Sequence, residues 1–241
     1  MNTIIIFTRK NLIMKKLTFS LLFLTIFCAQ TFAQDSGLKF SNAREFDKNR
    51  YKDIKGSPYY FKDWVKATVH GADHSVYEDI LINYNGYTES FEATNGEKWI
   101  EMNINWYRRI EVKKEGNEKS FEDLETDEVV FQRIIYPNFP DKFAVVFYEG
   151  ENVQFIEEWR IAKAVNKTET PGKTEVFERF NVKRNHYLFK DGDMALVKLK
   201  PKKLFQSLGK PKQLEAFAKK EKLKLSNSND LAKLLNHYES L

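Results

Sequence analysis

IEMNINWYRRIEV, residues 100–112, is the stretch whose reading decides the fold. Ile100, Met102, Ile104, Trp106, Ile110 and Val112 share one parity, while Glu101, Asn103, Asn105, Arg109 and Glu111 share the other. A side-chain period of two describes a strand with one face on a core and one in water, as in antiparallel sheets. The text on either side reads the same way. Upstream, 65–69 and 76–84 flank the turn residues Gly71-Ala72-Asp73. Asn85-Gly86 then joins Tyr84 to Tyr87, and Asn95-Gly96 joins Phe91 to Trp99; Asn-Gly is the strongest short hairpin signal. Downstream, strands are expected over 129–136, 142–148, 153–162, 174–180, 187–190 and 194–199, with tight turns at 149–152 and 191–193. Connections this short make antiparallel neighbours.

At Pro201 the period changes. Leu204 with Leu208, Leu214 with Phe217, and Leu231, Leu234, Leu235 and Tyr238 follow helical spacing. Gly209 and Pro211 separate the first helix from the second, and Ser226 or Ser228 is expected to cap the third, with Asp230 suiting its dipole. The pattern therefore predicts a mainly β (α+β) chain: an antiparallel curved sheet, sandwich or partial barrel of about ten strands with a small C-terminal helical region. Its expected parts are a signal peptide over 1–33, a lead-in over 34–55, an antiparallel β domain over 56–200 and a helical region over 201–241.

The signal peptide is read from Lys15 and Lys16, a charge-free apolar run over 17–28, and a small-residue exit at Thr31-Phe32-Ala33. Met14 is the expected start, and cleavage is expected between Ala33 and Gln34. Lipid attachment at Cys28 is disfavoured by the bulky Phe27 before it. The apolar run falls short of the roughly 20 residues of a membrane span, and no later segment comes close. The processed chain would be exported, periplasmic or extracellular, and free of cysteine, because Cys28 is the only one.

Charge is distributed unevenly. The formal excess of +5 owes four basic side chains to residues 1–33, which hold no acid. Residues 34–180 carry 21 basic and 28 acidic side chains, and residues 181–241 carry 14 and 6. This is an acidic body with a basic tail. From Lys198 to Lys224 the tail is rich in lysine and has no arginine, so it reads as solvated helix faces and argues against nucleic acid.

Several features together resemble a group of uncharacterised secreted proteins of Bacteroidetes-type bacteria. They are the opening Gly56-Ser57-Pro58-Tyr59; the hairpin residues Tyr77, Ile80, Ile82, Tyr84-Asn85, Tyr87 and Phe91 followed by Asn95-Gly96; and the helical ending from Leu204 to Leu241. The resemblance implies an exported β-rich protein with a short helical ending. It implies no activity and no site residue.

Three charges fall on apolar parity: Arg108 between Trp106 and Ile110, Glu157 among Val153, Phe155, Trp159 and Ile161, and Glu89 between Tyr87 and Phe91. A charge on a core face is costly unless paired. Three readings stand: an ion pair of Arg108 with Glu157, a bulge that returns the charge to water, or a polar anchor inside a ligand cavity. His70, Asp73 and His74, with Glu78 and Asp79 nearby, have ligand chemistry, but at a hairpin tip they read as wet turn residues, and no metal or other cofactor is expected. Trp99 and Tyr107, on polar parity, are candidates for an exposed platform that takes a sugar ring or a partner, against a default of sheet core.

No G-x-S-x-G, H-E-x-x-H or phosphate-cradling glycine loop occurs. Glu157 and Glu158 are adjacent on a strand and face opposite ways, so they do not flank one bond as glycosidase carboxylates do. A lysine-rich helical ending also argues against an outer-membrane barrel, which closes with a lipid-facing strand. The function expected is a non-enzymatic envelope or extracellular module that binds an envelope protein or a small ligand. A hydrolase without a recognisable motif is the rival.

Overall fold

The computed structural model describes residues 43–137 and 139–241. The signal segment, Cys28 and the first part of the lead-in lie outside the described residues. Among the described residues, eleven strands form one antiparallel open sheet. They are β1 (Arg44–Glu45), β2 (Val65–Gly71), β3 (Val76–Asn85), β4 (Ser90–Thr94), β5 (Trp99–Glu101), β6 (Tyr107–Lys113), β7 (Glu128–Ile134), β8 (Lys142–Glu149), β9 (Val153–Thr170), β10 (Lys173–Lys190) and β11 (Asp193–Val197). Their spatial order is β1-β5-β4-β3-β2-β6-β7-β8-β9-β10-β11. The expected antiparallel sheet with C-terminal helices is the fold observed.

The sheet bends over its aromatic face. Tyr84 on β3 meets Phe131 on β7 with ring centres 5.1 Å apart, although three positions separate those strands. In a flat sheet they would stand about 14 Å apart. Phe91 on β4 likewise meets Phe131 and Phe143, each at 5.0 Å. Backbone hydrogen bonds hold the bend. The Ile161 N–H donates to the Gly86 carbonyl at 2.7 Å, joining β9 to the end of β3. The segment before β2 adds a strap. Gly86 N–H donates to Pro58 O at 2.8 Å and Tyr60 N–H to Tyr84 O at 2.9 Å, while Lys55 exchanges backbone hydrogen bonds with Glu178 and Phe180 of β10.

A buried carboxylate anchors this strap. Glu92 is fully enclosed and accepts from Asn85 Nδ2 at 2.6 Å, from the Tyr59 hydroxyl at 2.9 Å and from Arg50. Burial pushes its carboxyl above the ordinary range, against the pull of Asn85, Arg50 and Tyr59.

Several local expectations are corrected. Residues 100–112 are not one strand: a 3-10 turn, Ile104–Trp106, divides β5 from β6, with the Asn103 side chain accepting from Asn105 N–H at 2.9 Å. The break is needed because β5 pairs with β4, whereas β6 lies between β2 and β7. The parity then slips. His70 pairs with Arg109 and Gly71 with Tyr107, which leaves Arg108 as the extra residue of a bulge. Tyr107 is therefore buried and Trp106 is 47% exposed, the reverse of the alternation.

Neither Asn-Gly pair forms a two-residue turn. The ladders close at Asn85↔Ser90 and Thr94↔Trp99, so each loop has four residues, organised by the Asn85 and Asn95 side chains accepting backbone N–H groups. The strands expected at 153–162, 174–180 and 187–190 belong to two continuous strands of 18 residues each, β9 and β10. The outer part of that hairpin runs past its neighbours as an exposed ribbon, with Val165 and Val176 facing water.

Three helices follow: α1 (Pro201–Leu208), α2 (Pro211–Lys220) and α3 (Ser228–Glu239). Gly209 ends α1 in the left-handed region and Pro211 opens α2. Asn227, rather than a serine, caps α3 by accepting from Asp230 N–H at 3.1 Å. Leu204, Leu208, Leu214, Leu231, Leu234 and Leu235 pack with Val153, Phe155, Leu188 and Val197 of the sheet. Glu239 ties the last turn down, its carboxylate accepting from the backbone N–H groups of Asn152 and Val153.

Gly86 is where the bend has no room to spare. A Cβ there would stand 2.2 Å from Trp159 Cζ3. Gly86→Ala is expected to cost about 1–3 kcal/mol through displaced packing. Denaturant unfolding followed by tryptophan emission checks this; wild-type stability with an unshifted spectrum would contradict the close fit.

Candidate functional site

A cleft of about 570 Å³ opens where the β3–β4 loop, the β5–β6 connection and the start of β8 meet. Ile100 and Met102, both buried, contribute its apolar lining, and Trp106 stands in it half in water. The Trp106 backbone is fixed from two sides: its N–H donates to Asn103 O at 3.0 Å and its carbonyl accepts from Ala72 N–H at 2.8 Å. The polar lining includes Glu89, Ser90, Glu101, Asn103, Asp141 and Lys142.

Lys142 is the organising charge. Its ammonium donates to Glu89 Oε2 at 2.6 Å and to Glu158 Oε1 at 2.5 Å, and the lysine and Glu158 are both nearly enclosed. Glu158 also accepts from Asn185 Nδ2 at 2.6 Å and from the Tyr187 hydroxyl at 3.3 Å. Burial opposes charge on Lys142, yet its hydrogen bonds to Glu158 and Glu89 outweigh this and hold the ammonium above its ordinary pKa. Burial likewise opposes charge on Glu158, and Lys142 with Asn185 pulls its carboxyl below the usual carboxylate range. At the rim, Arg133 donates to Asp141 Oδ1 at 2.7 Å and to Asn105 Oδ1 at 2.9 Å, which lowers the Asp141 carboxyl as well.

The three charges singled out by parity go to three different fates. Glu89 lines the cleft, on a backbone with φ of 56°, paired with Lys142. Glu157 is buried and pairs across the β9–β10 ladder with His186 Nε2 at 3.0 Å. Arg108 sits exposed on its bulge. The pair expected between Arg108 and Glu157 does not form; the bulge reading describes Arg108, and Glu157 instead contacts His186 across the ladder. Trp99 is half-buried with the Lys48 ammonium 4.9 Å from its ring centre, and Tyr107 is buried; the exposed tryptophan is Trp106 instead. His70 lies 3.5 Å from Glu111, and among the described residues no group of three or more His, Cys, Asp or Glu side chains is placed to hold a metal ion. Also among the described residues, no helix is long and apolar enough to cross a membrane.

The parity argument that marks Arg108 applies equally to Lys142, which alternates with Ala144 and Val146, and to Glu158, which alternates with Ile156. Lys142 and Glu158 lie on neighbouring strands of one hairpin, but that Glu89 joins them has no sequence signal, because the bend brings the β3–β4 loop to β8. No protein-family model, curated protein or solved structure matches this chain significantly.

Losing the cation should leave two carboxylates facing one another. Lys142→Met is expected to cost about 3–5 kcal/mol, as for other enclosed pairs broken from one side. Because the Glu158 carboxyl is lowered in the fold, its contribution is present above pH 4.5 and is lost as the pH falls through the lowered value. Urea unfolding over a pH series should show this acid loss in the wild type and a shallower one in Glu158→Gln. Parallel pH profiles would contradict the pairing.

Proposed function

We propose that this chain is an exported, non-enzymatic binding module that takes a small ring-bearing, hydroxyl-rich ligand, a sugar ring, in the Trp106 cleft. One observation carries the reading: a half-exposed tryptophan, its backbone hydrogen-bonded on both sides, shares a roomy cleft with amide and carboxylate acceptors. An indole face packs against the apolar face of a sugar, while nearby acceptors take its hydroxyls.

The electrostatics favour binding over catalysis. An acid–base catalyst needs a carboxyl raised or a lysine lowered toward the working pH. In and beside this cleft Lys142 is raised, while Asp141 and Glu158 are lowered, each locked in an ion pair. Among the described residues the one carboxyl resolved as raised, Glu92, is fully enclosed, outside the cleft lining. Export rests on the basic, apolar and small-residue succession ending at Ala33, and the resemblance to secreted proteins agrees with it.

Tryptophan emission titrated with gluco-, xylo-, manno- and chito-oligosaccharides tests the site. Saturable binding to at least one is expected, with Trp106→Ala weakening it roughly ten-fold, the worth of about 1.5 kcal/mol of ring packing. Absence of binding across the panel would overturn the reading. Shortened products that disappear in Glu89→Gln would favour the hydrolase. For export, expression with residues 1–33 in a bacterial host should yield a processed chain beginning at Gln34, and an unprocessed cytoplasmic chain would refute it.

A further inference from the structure

We propose that the groove between α1 and α2 is a binding site for a long-chain carboxylate: one acyl chain with an anionic head, taken up free from solution. The groove holds about 700 Å³, within the size range of small-ligand sites. Its walls are apolar, formed by Pro201, Phe205, Pro211, Ala218, Leu223 and Leu225. Its rim is cationic. Lys202, Lys219 and Lys222 border it, and the single carboxylate present, Glu215, is engaged by Lys219 at 3.0 Å. Residues 201–241 carry nine basic and four acidic side chains, so the surrounding field also favours an anion.

Lys222 gives a second, independent indication. Helix α2 closes with Leu223 N–H donating to Ala218 O at 2.9 Å, and Lys222 takes the left-handed position of that turn with φ of 54°. Helix ends of this kind normally place glycine there. The same chain does so at the end of α1, where Gly209 has φ of 85°. The lysine is thus held at a backbone cost, and what it adds is an ammonium on the groove rim.

The dimensions suit a single chain. Helices of eight and ten residues are about 12 and 15 Å long, so the apolar walls cover a few turns and then end at the lysines. Methylenes leave water along the walls while the head stays wet beside the ammonium groups.

The test titrates the full chain with a polyene fatty acid whose emission rises on leaving water. Saturable one-to-one uptake is expected. Ala218→Trp, which fills the groove, should abolish it. Lys222→Gly should weaken it about five-fold, the worth of one basic side chain beside an anionic head. The same variant should unfold at an unchanged or higher temperature, since glycine suits the left-handed turn. Trp106→Ala should take up the fatty acid as wild type does, so this site and the cleft are tested separately. If Ala218→Trp fails to fold, Lys222→Gly decides alone. Three results would overturn the proposal: no saturable uptake, wild-type uptake in Lys222→Gly, or binding to phosphatidylglycerol vesicles without uptake of the free acid.

Discussion

The bend of the sheet over its own aromatic face is the constraint on which everything else in this protein depends. An open sheet of eleven strands has to cover its apolar side, and this chain does so mostly with itself. Tyr84, Phe91, Phe131, Phe143 and Trp159 are buried together although they come from five strands. The approach is limited by the β3 end, where Gly86 accepts a hydrogen bond from β9 and leaves its missing side-chain volume to Trp159. With a single cysteine in the whole chain, no intrachain disulfide shares this task. Burial of large rings does it, supported by the strap through Pro58 and Tyr60.

Enclosed polar and charged side chains mark the seams of this bent sheet. Glu92 joins the strap to β3 and β4, Lys142 joins the β3–β4 loop to β8 and β9, and Glu157 with His186 spans β9 and β10. Pairs of this kind contribute little net stability, because desolvation offsets most of the attraction. Their effect is on register: a one-residue slip would strand a charge in an apolar layer. The same demand shapes the cleft. Its charges are satisfied by one another before any ligand arrives, so what it offers a ligand is a half-exposed indole, an apolar floor and oriented acceptors.

Much of this was legible residue by residue. The hairpin sites, the antiparallel order from β7 onward and the helix breaks at Gly209 and Pro211 follow from local chemistry, which tertiary contacts leave alone. The errors are equally specific. The alternation through 100–112 hides a 3-10 turn because Trp106 and Tyr107 are both aromatic, and either fits a core by composition. The Asn-Gly pairs locate turns correctly but not their length, since the asparagine side chains organise four-residue loops in place of the left-handed two-residue turn. Arg108 carried the same parity signal as Glu157, and a single bulge took it to water.

The chain by itself determined a pleated, antiparallel body, an apolar-striped helical ending and the separation of an acidic body from a basic tail, because periodicity, turn residues and charge are properties of neighbours in sequence. Tertiary structure alone decided which charges meet, which tryptophan faces water and where the two cavities lie. Glu89 reaches Lys142 because curvature brings the β3–β4 loop to β8, and Trp106 faces water because one bulge shifts its parity; both depend on the summed fit of side chains that no local pattern encodes.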